Sequence, residues 1–534
     1  MPGPELVVIG IDGATFSLID PWVKQGFLPN IAGMLQTGVR AVLQSTYTPN
    51  ACPAWKSFAT GKNPGRFGLF NWKNKVYGSY EPKVVELSDI GGRELWQIIG
   101  QAERRVAVVG MPLTYPPRPV NGALLTGMLT PPDADFAYPS ELEEEILKNV
   151  GEYRLDPAVE SAQDAEELFA EQNATTINRF QALRYLLKNG QYDFVIVVFT
   201  APERLQHWFW PPHNARGHVV LRAYQQIDWA IAQLRGFTDA GTTFMLASSH
   251  GFKDMERKLY PNQLFLDLGW LKPDERGIGW SENRGVTRDT AEELVQHVAN
   301  DRIRAKLPEE RKQLLTLGAF GLDMTRTKAW AWSGGEVFIN LKGREPQGIV
   351  EPGNEYESLR DRIIDRVEHL EDAGRFLDIR VFRREEIYSG RLLDHAPDLM
   401  IDIREPGYAI ANDATGLDVS EIFPGTLFTV NKTQGGTHDT RGIFIAAGPH
   451  IQQGTAIENA HITDVAPTAL HLMGLPIPDD MDGAVLPIFR KGSPPAERPV
   501  QCVPVEEDVL EEAVASREEQ AAFAQVLWAS GYLA

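Results

Sequence analysis

The chain has 534 residues, of which 52 are basic and 72 acidic, for a formal net charge of -20. That length exceeds one small domain and predicts a large α/β domain with an inserted or appended second unit. The acidic balance excludes nonspecific binding to a nucleic-acid duplex or an acidic membrane, both of which need a basic surface, but not a phosphate-bearing ligand held through a cation.

The opening residues, MPGPELVVIGIDG, carry no basic n-region and no long apolar h-region, so they read as a buried strand rather than a signal peptide. Further strands are expected at RVAVVGM (105–111), DFVIVVFT (193–200), TTFMLASS (242–249) and GIFIAAG (442–448). Helical patterns alternate with these runs, which predicts βαβ units and a mostly parallel sheet. In such sheets ligands bind beyond the carboxyl ends of the strands, and Asp12, Glu203, Ser249 and His250 all stand there. From about 255 to 430 the texture changes to charge-rich helical stretches and a candidate β unit, EVFINL (336–341). The expected organisation is a core of 1–254 and 431–490, an insertion or cap of 255–430, and a Pro-rich acidic linker with a last helix over 491–534. No run of about 18 apolar residues occurs, so no membrane span is expected. Two cysteines, Cys52 and Cys502, do not make a disulfide framework and fit a reducing, cytoplasmic setting.

Four polar groups carry the chemistry. In IDGATF, Asp12 closes a buried strand, where a carboxylate binds a metal or caps a helix. In ERLQH, Glu203 and His207 are four apart, so on a helix they share a face and meet one cation or form an ordinary surface pair. In SSHGF, His250 follows a strand directly, and in GGTHDTRGIFIAAG, His438 sits in a Gly-rich loop before another strand, as a ligand or a satisfied loop histidine. Acids and imidazoles gathered at strand ends favour a metal site. The phosphate-loop GxxxxGK[ST], a well-placed GxGxxG and the GxSxG elbow are missing. His297, His369 and His471 lie in helical patterns and read as structural.

The ordered set IDGATF, TPNACPAWKSFATGKNPGRFGLFNW, ERLQHWFW, SSHGF, GGTHDTRGIFIAAGP and TDVAPTALHLMGLPIPDDMDG resembles the alkaline phosphatase superfamily. It is most similar to the type I phosphodiesterase and nucleotide pyrophosphatase branch, in the subgroup of predicted phosphohydrolases or phosphomutases. The resemblance implies a three-layer α/β/α sandwich with a two-metal site, usually zinc, at the strand ends. It assigns Glu203, His207 and His438 to one metal and Asp12, residue 51, Ser249 and His250 to the other. The family nucleophile, a Thr or Ser, stands ten residues before the Gly of the T-G step, which here is Ala51. Ser249 replaces an Asp ligand, and Glu203 replaces an Asp by a longer carboxylate.

The resemblance therefore implies one zinc or other divalent cation at the first site and a second site reduced to Asp12 and His250, below the usual zinc complement. Ser249 beside Ala51 favours loss by descent over a single designed inactivation. Cys52 reads as a small buried hydrophobe, with a shifted loop presenting its thiolate as the alternative. Lys56 and Lys62 are candidate phosphate-binding residues. The expected ligand is a phosphate-ester small molecule or nucleotide-like compound. Three readings follow: a metal-dependent phosphohydrolase with a degenerate site, an inactive pseudoenzyme binding a phosphate-bearing ligand or protein partner, and a phosphomutase.

Overall fold

The computed structural model describes residues 3–90, 92–155, 164–211, 218–273, 322–411, 425–431, 435–505 and 516–529. His297, residues 274–321 and 412–424 of the expected insertion, 506–509 of the linker and 530–534 of the last helix lie outside the described residues. The chain divides into two compact units, Met1–Trp72 with Val85–Asp254 and Thr433–Ala534, and Lys73–Val84 with Met255–Lys432.

The first unit is a three-layer α/β/α sandwich around a nine-stranded sheet. Its strands are β1 (Leu6–Ile11), β2 (Val39–Gln44), β3 (Val106–Met111), β4 (Gly122–Thr126), β5 (Ala137–Tyr138), β6 (Phe194–Phe199) and β7 (Thr243–Ala247). A small antiparallel pair, β8 (Gly251–Asp254) and β9 (Gly436–Asp439), stands apart, and β10 (Arg441–Ala447) and β11 (Thr455–His461) complete the sheet. The spatial order is β11-β2-β10-β7-β1-β6-β3-β4-β5. Only β10 and β5 run against the rest. The GIFIAAG run is thus a strand as expected, but an antiparallel one. It lies between β7 and β2, which both run the other way.

The three central strands explain the position of the site. β1 pairs in parallel with β6 on one side and β7 on the other, residue for residue from Leu6 to Gly10. Every residue of the three strands is buried, as expected of continuous apolar runs covered on both faces. Parallel pairing brings the three carboxyl ends to one edge, so Asp12, the helix after β6 and the turn after β7 emerge side by side. No helix among the described residues is long and apolar enough to cross a membrane.

The second unit has its own core, including Trp330, Phe338, Leu359 and Ile401. Four antiparallel strands, Ala329–Ala331, Glu336–Ile339, Leu399–Ile403 and Ile379–Arg383, pack with the helix Asn354–Glu368. Asp398, fully buried, accepts from both Nη atoms of Arg344 (2.7 and 2.6 Å), the Tyr356 hydroxyl (2.6 Å) and the Ile339 amide (2.7 Å). Burial pushes its carboxyl up, but Arg344 and Tyr356 more than offset this, and the group is held below the usual range. The hairpin Lys73–Lys75/Pro82–Val84 joins this unit through Lys75 to Glu345 (3.0 Å) and the Tyr80 hydroxyl to Asn340 (2.7 Å).

Candidate metal centre

Helix α1 (Ala51–Thr60) begins at the expected nucleophile position. Asn50 caps it by accepting the Cys52 amide at 3.1 Å, which satisfies one of the orphan amides of the first turn. Ala51 is its first residue and presents only a methyl group. Cys52 is fully buried, and burial pushes its thiol up, so it is a neutral thiol. Helix α2 (Ala201–Phe209) follows β6 with Pro202 in its first turn, and Glu203 and His207 share one face four residues apart.

Gln206 of α2 donates to the Gly13 carbonyl at 2.9 Å and accepts from the Tyr224 hydroxyl at 3.0 Å, which docks the helix on the turn after β1. Gly13 has φ +68, and a Cβ there would lie 3.0 Å from the Glu203 Cβ, so both the backbone and the close approach require glycine. The helix after Asp12 starts at Phe16 and is capped by Thr15, which accepts the Ser17 amide. Asp12 is therefore not a helix cap.

Three donors converge. Glu203 Oε1 lies 2.8 Å from His207 Nε2 and 3.5 Å from His438 Nε2, and the two imidazole nitrogens are 3.0 Å apart. Glu203 is 1% exposed, whereas the His207 and His438 side chains reach solvent. Tetrahedral bonds of about 2.0–2.2 Å to one zinc would set its donors about 3.3–3.6 Å apart, close to this spacing. The pairing of β8 with β9 places His438 opposite Phe252, next to the turn that carries His250. The His250 and His438 rings stack at 4.0 Å, and Phe252 walls His207 and His438 at 4.9 and 5.4 Å between ring centres.

Burial lowers His438, and burial together with His438 pushes His250 well below the usual histidine range, so both rings are neutral, the ligating form. The His438 ring also hydrogen-bonds the Pro49 carbonyl, two residues before Ala51, which fixes its orientation. His250 Nδ1 donates to the Gly251 carbonyl at 3.0 Å, so Nε2 carries the lone pair.

Burial pushes Glu203 up, but His207 and Arg204 hold it well below the usual carboxylate range. Asp12 goes the other way. Burial and the charge of Glu203 push it up to about 7, against hydrogen bonds from Ser249 and Trp55 and the charge of Arg204. Glu203 Oε2, Asp12 Oδ2 and His250 Nε2 are buried without a hydrogen-bond partner. Buried acceptors with no donor are costly unless a cation takes their lone pairs. Glu203, His207 and His438 fit one divalent cation, their ligand atoms all lying within 4.8 Å of one another.

Fewer donors stand on the Asp12 side. Ser249 supplies a hydroxyl that donates to Asp12 Oδ1, Trp55 Nε1 donates to the same oxygen at 3.2 Å, and Ala51 has no donor atom. Asp12 and His250 remain, two ligands where three or four are usual.

The two candidate phosphate residues have protein partners. Lys56 is 2% exposed, with its ammonium on the Ile90 carbonyl and 3.3 Å from Glu94, and Lys62 pairs with Asp480. Sequence reasoning passed over Arg204, Trp55 and Phe252. Arg204 had a signal, since it stands inside ERLQH directly after Glu203, and a cation at a buried strand exit needs a reason. Trp55 and Phe252 read as core aromatics, and nothing local marks an indole aimed at a carboxylate.

The family profile of type I phosphodiesterase / nucleotide pyrophosphatase matches residues 6–440. No curated protein sequence matches the chain. Among solved structures, human ectonucleotide pyrophosphatase / phosphodiesterase 5 is similar at 11% identity and TM-score 0.44, over 90% of this chain and 96% of that one. The murine protein of the same name, an inactive variant in complex with AMP, is similar at 14% identity and TM-score 0.43, over 89% and 96%.

Proposed function

The chain belongs to the type I phosphodiesterase / nucleotide pyrophosphatase family, and from that premise we propose that it hydrolyses a phosphate ester at a reduced centre holding one divalent cation, zinc by its donor set. Members of this family depend on divalent metals. The observation that carries the reading is the convergence of Glu203, His207 and His438 at the carboxyl edge of the sheet. A cation bound there supplies Lewis acidity to a phosphoryl oxygen and to water.

The chain's own residues then set the course of the reaction. Ala51 offers no attacking group, so water attacks phosphorus directly, the ester P–O bond breaks, and the departing alkoxide takes its proton from solvent. Asp12 Oδ2, which has no other partner, accepts the proton that water loses. Such a single displacement inverts configuration at phosphorus, whereas a route through an enzyme nucleophile retains it. A phosphomutase needs that nucleophile, so Ala51 speaks against it. A ligand-binding pseudoenzyme is the second reading, favoured by Ala51 together with Ser249. The free thiols of Cys52 and Cys502 support a reducing compartment.

The test is turnover of bis(p-nitrophenyl) phosphate by the zinc-loaded chain. Hydrolysis that disappears in His207→Ala, with inversion on a chiral phosphorothioate diester, is expected. Zinc uptake without turnover hands the site to the pseudoenzyme reading, and turnover unchanged in His207→Ala removes the centre altogether.

A further inference from the structure

Glu203 and His207 stand on one helix, so α2 itself sets the spacing between them, whereas His438 comes from the β8–β9 pair. The 3.0 Å between the His207 and His438 nitrogens therefore depends on how the end of α2 docks on that pair. Phe252 and Asp254 are two apart on β8 and lie opposite His438 and Gly436 on β9, so all four positions share one face. At Gly436 that face has no side chain. Trp210, which closes α2, fills the gap: a Cβ on Gly436 would lie 2.9 Å from its indole and 2.7 Å from the Phe252 ring. The Trp210 indole nitrogen donates to the half-buried Asp254 carboxylate, and its ring leans on Phe252 at 5.6 Å between centres. Phe252 in turn meets the His207 and His438 rings edge-on, inclined to them by 78° and 67°.

We propose that Trp210 and Asp254 form a latch that positions the metal ligands: it locks the end of α2 to the β8–β9 pair and, through Phe252, holds His207 and His438 at ligating distance. The proposal rests on the one-cation reading above and adds the device that sets the spacing no single element fixes. Trp210 and Phe252 offer no ligand atom, so both act as positioning residues. Donors held in place lose less freedom when they bind, and the same three donors on a loose helix end would bind more weakly.

The experiment is zinc titration of the metal-stripped chain and of variants at Asp254 and Trp210, read by competition with a chromophoric chelator. With cobalt in place of zinc, visible absorption reports the geometry of the ligands. Asp254→Ala releases the indole and is expected to weaken zinc binding about tenfold, the lower end of what disturbing a ligand's support costs, and to change the cobalt bands. Asp254→Asn keeps an oxygen acceptor for the indole and is expected to retain both affinity and bands. Wild-type affinity and bands in Asp254→Ala overturn the latch and leave the one-cation centre standing. An equal loss in Asp254→Asn does the same, since it assigns the effect to charge. Trp210→Phe lacks the donor but keeps a ring against Phe252, and it is expected to match Asp254→Ala. Wild-type affinity in Trp210→Phe overturns the latch even where far-ultraviolet circular dichroism shows that Asp254→Ala does not fold. No zinc uptake by the wild type overturns the one-cation reading itself, and the latch with it.

Discussion

At the scale of single residues the site region is governed by charges taken out of water. Lys56 lies in α1, and burial pushes its ammonium down to about 8, with Glu94 opposing the shift. Below about 8 the folded and unfolded chains both carry this proton, and the full cost of burying it is present. As pH rises from about 8 towards the ordinary 10.5, the folded chain loses the proton first and the cost is relieved. Measured against Lys56→Met, the wild type should therefore gain up to about 3 kcal/mol across that window, read from denaturant unfolding at pH 7.5 and 10. A difference between the two proteins that does not change with pH would mean the ammonium is solvated.

Ala51 gives the second prediction at this scale. Ala51→Thr alone should change diester turnover by less than about tenfold, because Ser249 still donates to Asp12 where the family has a metal ligand. Combined with Ser249→Asp it should raise turnover beyond that and switch phosphorus stereochemistry to retention. Stereochemistry that stays inverted in the more active double variant would show that position 51 does not attack.

At the scale of elements, the centre depends on how β9 passes the end of α2. Gly435, just before β9, has φ +140, and a Cβ on it would lie 2.0 Å from the His207 carbonyl oxygen. Gly435→Ala should cost about 1–3 kcal/mol in unfolding free energy through backbone strain. By displacing His207 it should also weaken zinc binding by about 10–100-fold, the range seen when the support of a ligand is disturbed. Unfolding and chelator competition measure the two effects separately. Normal zinc affinity in a destabilised variant would mean that the end of α2 moves without its ligand.

The same scale shows which parts were legible. LVVIGID, RVAVVGM, DFVIVVFT and TTFMLASS read as strands because continuous apolar runs bounded by turn residues have few other fates in an α/β chain. EVFINL likewise forms the strand Glu336–Ile339. Glu203 and His207 shared a face on any helix that followed β6, since spacing alone dictates it. The partners of Lys56 and Lys62 were not legible, because Glu94 and Asp480 are distant in sequence and nothing local selects them.

At the scale of the whole molecule, every donor of the candidate centre belongs to the first unit, while the second has its own core and its buried Asp398–Arg344–Tyr356 group. Two cores predict two calorimetric transitions rather than one. Zinc should raise only the transition of the first unit, by about 2.7 kcal/mol at a hundred times the dissociation constant. A single transition, or a zinc shift in both, would show that the units unfold as one.

The amino-acid order by itself determined that the chain builds a mostly parallel sheet and that acids and imidazoles stand at its strand exits. Both follow from local patterns: apolar runs, their spacing, and the residue that ends each run. Tertiary structure alone decided which of those groups meet. Parallel pairing of β1, β6 and β7 brings Asp12, Glu203 and Ser249 to one edge, and the β8–β9 pair carries His438 back to His207, 231 residues earlier in the chain, and to His250. It also turned Ser249 from a missing ligand into a hydrogen-bond donor on Asp12 and set the Arg204 guanidinium 3.6 Å from Glu203. Charge compensation in a buried site depends on distances between remote segments, and no local pattern encodes them.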